Sequence, residues 1–213
     1  MNNWFSPFSK KHIEANISVT IAGPPKFPLG EESNYILRAT LHYQAPSSSS
    51  PPGAPPLPPI TIKEYGSPIS TAASMTGTYR LYPTSSPNDG PVNDNWFDFD
   101  IDDSPKAVTA GNGFSTVHPG ESIVREVTIV PACFETKAGT KYVLRMPEAY
   151  GRIQWWGVGE IEAFRGIEVR PIEWSSDGGL NCGMSNDVEV VAEIWNTLPY
   201  VDFLGEESMF PWL

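Results

Sequence analysis

The chain has 213 residues, 22 of them proline and 18 glycine, and a formal charge of −11 from 14 Lys and Arg against 25 Asp and Glu. Proline at roughly twice its ~5% average usage, with charged residues at 18% against a usual ~25%, excludes a coiled coil or helix bundle. The negative balance argues against a nucleic-acid partner, because a phosphate backbone would be repelled, and no apolar run approaches the ~18 residues that a membrane span needs.

The first residues, Met1 to Lys11, place their basic pair (Lys10, Lys11) late and follow it with no apolar stretch. A secretory leader needs the reverse order, so a cytoplasmic location is expected. In a reducing compartment Cys133 and Cys182 are expected to stay separate thiols, and the sequon Asn16-Ile17-Ser18 to go unused. Ile17 to Ala22 is a β-branched run closed by Gly23-Pro24-Pro25, which reads as a strand and its breaker. Asn34 to Tyr43 predicts a longer strand. Its better core face carries Tyr35, Leu37, Ala39, Leu41 and Tyr43; Ile36, Arg38, Thr40 and His42 share the other.

Residues 45–59 hold seven prolines and four serines, a composition that supports neither helix nor ladder. The expectation is a disordered surface loop of polyproline character between two strands. Short strands are then predicted at Ile60 to Tyr65, Thr78 to Tyr82, Trp96 to Asp102, Ser122 to Val130, Thr140 to Met146, Arg152 to Trp156 and Gly166 to Arg170. Asp187 to Trp195 fits either period, and its β-branched content favours a strand. Gly157 to Phe164 reads as one helical turn or a bent connection. About nine short strands with Pro/Gly turns and little helix predict one domain over 1–213, an all-β antiparallel sandwich.

Three pieces carry a resemblance. They are Phe114-Ser-Thr-Val-His-Pro-Gly-Glu-Ser122, Gly139-Thr-Lys-Tyr-Val-Leu-Arg145, and Ile153-Gln-Trp-Trp-Gly-Val-Gly159 followed by Glu160-Ile-Glu162. In this order the stretch 114–171 resembles a group of uncharacterised filamentous-fungal cytosolic proteins, and more loosely the Pro-Gly-Glu turn of immunoglobulin-like sandwiches. The resemblance implies an immunoglobulin-like β-sandwich and a fungal origin, and no activity.

Candidate chemistry is sparse. Asp98, Asp100 and Asp102 alternate with Phe97, Phe99 and Ile101, which puts three carboxylates on one face. Calcium would need further oxygens from another loop. The EF-hand pattern fails, because its sixth position is Asp103 and its twelfth Thr109, and a solvated edge strand explains the same charges. Trp155 and Trp156 are adjacent, so a regular strand points them to opposite faces. Trp156 would then share a face with Arg152 and Gln154, close to Tyr150 and Glu160, a platform for stacking and directed hydrogen bonds. The competing reading makes both tryptophans packing residues.

His12, His42 and His118 show no zinc-ligand spacing. His118 is the best general base available, with Glu160 and Arg152 as its candidate catalytic companions. No nucleophile elbow, phosphate loop or dinucleotide fingerprint occurs, and no cofactor is expected. The apolar tail 198–213 is expected to fold back on the sandwich or pack on a second copy as a homodimer. The leading expectation is a small-molecule or protein-partner binding sandwich working through the Trp-rich 150–160 segment. The alternatives are a cofactor-independent cyclase or isomerase, and a calcium-dependent carbohydrate-binding module.

Overall fold

The longest strand shows how the pattern becomes structure. In β3 (Tyr35–Tyr43) the residues Tyr35, Leu37, Ala39, Leu41 and Tyr43 are buried, and those between them are more open, as period-two alternation predicts. In the computed structural model, which describes residues 13–14, 16–29, 33–45, 55–71, 78–86, 90–92, 104–147, 151–169, 179–184 and 186–194, β3 pairs antiparallel with β1 (Ile17–Ala22) on one side and β8 (Ser122–Ile129) on the other. β14 (Gly183–Met184) joins β1 in parallel and completes sheet I.

Sheet II has the order β2 (Lys26–Leu29), β15 (Val188–Ile194), β9 (Lys141–Arg145), β5 (Arg80–Pro83). Only its β2–β15 pairing is parallel. Sheet III has the order β11 (Trp156–Val158), β4 (Ile60–Lys63), β7 (Phe114–Val117). Two short ribbons pair β6 (Lys106–Ala107) with β12 (Glu168–Val169), and β10 (Arg152–Ile153) with β13 (Leu180–Asn181). The fold is all-β and sandwich-like. Of its fifteen described strands, nine (β1 to β5, β7 to β9 and β15) have four or more residues.

One hydrophobic core takes the inward residues of all three sheets, among them Val19 and Leu37 from sheet I, Leu81 and Val190 from sheet II, and Ile60 and Ile62 from sheet III. Phe27 of β2 and Tyr35 of β3 bring their ring centroids to 5.0 Å, coupling sheets I and II. The central strand of sheet III is buried on both faces. Every residue of β4 is buried, because a second cluster of Val108, Phe114, Trp155 and Val169, with Ile161 and Phe164, covers the side away from the main core. A strand enclosed in this way loses the polar-out half of its pattern.

Several expectations are corrected. Lys26–Leu29 forms a strand the pattern did not predict, and the strand expected at Thr78 to Tyr82 is shifted to Arg80–Pro83, despite Pro28 and Pro83. Both lie at the ends of sheet II, where a residue lacking an N–H breaks no ladder. Arg152 to Trp156 is no single strand: it divides at Gln154 and Trp155 between β10 and β11, which belong to different sheets. The proline-rich insert is folded at its C-terminal end. Leu57 is buried in the core, the Tyr43 hydroxyl donates to the Pro58 carbonyl at 3.0 Å, and the Gly159 N–H donates to the Pro59 carbonyl at 2.9 Å. Within the stretch expected at Asp187 to Trp195, Val188–Ile194 is strand, and Gly157 to Phe164 divides into the end of β11 and a short 3₁₀ turn, Ile161–Phe164. Residues 46–54, the predicted strand 96–102 and the tail 198–213 lie outside the described residues.

Candidate functional site

Sheet III ends in two polar arrangements. At one end β7 runs into the turn His118-Pro119-Gly120-Glu121. The Glu121 N–H donates to the His118 carbonyl at 2.9 Å, and Gly120 takes φ +90°, as the third position of a type II turn requires. The His118 N–H donates to Glu121 Oε2 at 3.1 Å. The backbone of His118 is therefore fixed from both sides.

Opposite it, β11 turns at Gly159 into the 3₁₀ segment. Thr61 and Thr116 face each other across β4 and β7, with Oγ1 atoms 2.9 Å apart. Thr61 Oγ1 donates to the Gly159 carbonyl at 2.8 Å, so the shared proton must come from Thr116. Thr116 Oγ1 in turn accepts the Ile161 N–H at 3.1 Å. This relay satisfies two hydroxyls on the covered face of sheet III and ties the backbone on both sides of Glu160 to the sheet. Glu160 thus reaches His118, with Nε2 to Oε1 at 3.4 Å and both side chains about half exposed (48% and 49%). The sequence named both residues, and the fold brings them together.

At the other end, Glu64 follows β4 directly. Its Oε2 accepts Arg125 Nε at 2.9 Å, and its Oε1 accepts Arg125 Nη2 at 2.5 Å. The Ser115 hydroxyl donates to the same Oε1 in a very short contact. Burial by itself would raise the Glu64 pKa, but the Arg125 hydrogen bonds, Ser115 and the guanidinium charge together hold it below the ordinary carboxylate value. The Arg125 pKa is raised in return, chiefly by its hydrogen bonds to Glu64. Arg125 belongs to sheet I and Glu64 to sheet III, so this bidentate pair clamps two sheets. The pattern did contain a signal. Arg125 shares its register with the buried Ile123, Val127 and Ile129, and a charge on an inward face needs a partner.

The remaining candidates separate. Trp155 is 8% exposed, with its ring set edge-on to Phe114 and Phe164 at 5.4 Å each; it is a packing residue. Trp156 packs partly buried against the main core. Gln154 lies against Gly66, where an added Cβ would come within 2.7 Å of its amide carbon. Arg152 lies on the β10–β13 ribbon, its guanidinium against Gly179. Arg152 and Trp156 lie on strands of different sheets, so the regular strand expected to set Arg152, Gln154 and Trp156 on one face is broken. Tyr150 and the acidic triplet Asp98, Asp100 and Asp102 lie outside the described residues.

Among the described residues no group of three or more His, Cys, Asp or Glu side chains could hold a metal ion. Cys133 and Cys182 are free thiols, and burial, with the nearby Glu14 charge, pushes Cys182 up to about 12. That removes it from thiolate chemistry near neutral pH. Among the described residues no helix is long and apolar enough to cross a membrane. No family model, curated protein or solved structure matches the chain.

Proposed function

We propose that this chain is a binding protein for a small molecule or a partner segment, and that the His118–Glu160 end of sheet III is its binding site. One observation supports the reading: an imidazole and a carboxylate from distant segments meet at 3.4 Å, half open to solvent, on backbone fixed by the threonine relay and the type II turn. Glu160 and Glu121 supply acceptors, and the imidazole can donate or accept. The formal charge of −11 draws cations toward such a site. Amines and polyols, which donate several hydrogen bonds, fit this chemistry. Binding measured calorimetrically against a panel of amines and sugars should be lost in His118→Ala and in Glu160→Gln, with the melting temperature of both variants kept. Undiminished binding in the variants would rule the site out.

The same contact favours a second reading, a cofactor-independent cyclase or isomerase. His118 would act as general base with Glu160 orienting its ring, an arrangement suited to proton transfer. Turnover lost in both variants would favour the enzyme, and binding without turnover the binding protein.

A further inference from the structure

The ladders of sheet I bring three hydrogen-bonding side chains together on its outward face. The Tyr43 N–H donates to the Glu121 carbonyl at 3.0 Å. The next pair along the ladder, His42 and Ser122, is therefore a non-hydrogen-bonded one, in which facing side chains come closest. His42 Nδ1 lies 2.9 Å from Ser122 Oγ. On the other flank, in β1, Thr20 Oγ1 lies 2.8 Å from His42 Nε2. The imidazole is thus held through both nitrogens, half-buried between two hydroxyls, while Ser122 is exposed. The core does not require this row, since Leu41, Tyr43 and Ile123 supply the burial on the opposite face.

In the tautomer whose ring proton sits on Nε2 and donates to Thr20, Nδ1 is a bare acceptor aimed at the Ser122 hydroxyl. A serine becomes a nucleophile through this order of groups: a hydroxyl, a base, and a third group that orients the base. The ladder alternation also turns the Ser122 N–H away from β3, toward the outer margin of β8, the end strand of sheet I. A donor there suits an oxygen that gains negative charge.

We propose that Ser122 and His42 form an acyl-transfer site on the outer face of sheet I, taking esters of small carboxylic acids, with Thr20 as a positioning residue. Ser122 Oγ bonds to the carbonyl carbon, its proton passes to His42 Nδ1, and the bond to the alcohol oxygen breaks. The imidazolium returns that proton to the departing oxygen. Water then attacks the acyl-serine, giving its proton to Nδ1, and Ser122 is released with the proton restored. The site does not depend on the His118–Glu160 reading.

The test exposes the full chain to a fluorophosphonate, which forms a stable adduct with activated serines, and to 4-nitrophenyl acetate. Peptide mass spectrometry should place the adduct on Ser122, and Ser122→Ala should abolish both the adduct and the ester turnover. His42→Gln, which keeps hydrogen-bonding groups and loses the base, should slow labelling about a hundredfold or more. Thr20→Val should slow it about tenfold, with Thr20→Ser restoring the rate, a rescue that a merely structural role would not produce. Ser18→Ala should change nothing, because Ser18 pairs in register with His42 but takes its hydrogen bond from Gln44 Nε2 at 3.4 Å. Ser122→Ala alters an exposed side chain and keeps the test readable should His42→Gln fail to fold. No adduct on Ser122, equal labelling of a folded His42→Gln, or ester turnover that persists in Ser122→Ala would each overturn the proposal.

Discussion

The two ends of sheet III carry the same kind of interaction in opposite surroundings. At one end the Glu64 carboxylate, 17% exposed, is gripped through both oxygens by Arg125 and by Ser115. At the other, His118 and Glu160 touch through one contact and stand half in water. Desolvation separates their roles. A largely buried carboxylate with both oxygens already engaged has little left to offer a ligand, and removing its partner is costly. An exposed pair contributes little to stability and stays available. The stabilising end and the available end of one small sheet can therefore be distinguished by solvation alone.

The largest expected effect lies at the closed end. Trp155→Ala should cost about 3–5 kcal/mol, the usual range for emptying a large aromatic site, read as a lower urea midpoint at unchanged slope. A loss close to zero would mean that the second cluster does not hold this end shut. Arg125→Ala should come next, at about 2–3 kcal/mol, because it strands a largely buried carboxylate; the partial exposure of Arg125 keeps the figure below that of a fully enclosed pair.

Acid probes the same clamp. The Glu64 pKa is lower in the folded chain, so its contribution is present above the ordinary carboxylate value and is lost as pH falls through the lower folded value. The stability gap between the native chain and Glu64→Gln, measured by denaturant from pH 7 downward, should shrink below pH ~4. A gap that stays constant would remove the clamp's electrostatic role.

Alkali probes the open end from beneath. Tyr43 donates its hydroxyl to Pro58 and pairs its backbone with Gly120 and Glu121, and burial pushes its phenol up to about 12, as it does for Tyr35. Their contribution is complete below the free tyrosine value of ~10 and is lost as pH rises from there toward 12. Tyr43→Phe should cost about 1 kcal/mol at pH 8, with the gap closing above pH ~10. The smallest effects belong to His118→Ala and Glu160→Gln, each under ~0.5 kcal/mol of stability. A double-mutant cycle giving more than ~1 kcal/mol of coupling would erase the contrast between the ends.

Strands with one wet face were legible in the sequence. β1 has the bounds its pattern predicts, and β3 starts one residue inside them, because alternation survives where one side meets water. Sheet III was less so, since Thr61 and Lys63 look like an outward row until Trp155 and its neighbours cover them. That cover also explains the tryptophans: adjacency sent them to opposite sides, but both sides are interior or nearly so. The His118–Glu160 contact has no local signature. It depends on a turn and a 3₁₀ segment meeting in space, which spacing along the chain does not encode. Within the insert, Leu57 is the one large apolar residue among prolines and serines, and it is the one that anchors.

Pro28 and Pro83 occupy the outermost strands of sheet II. A neighbouring molecule trying to lengthen that sheet would meet at each proline a ring nitrogen with no hydrogen to share, and at β5 a Leu81 carbonyl already taken by the Val92 N–H. For a polypeptide so dominated by extended segments this is a safeguard. Crowded copies of the chain gain little from zipping together along those flanks, and the route from folded chain to fibril is obstructed there.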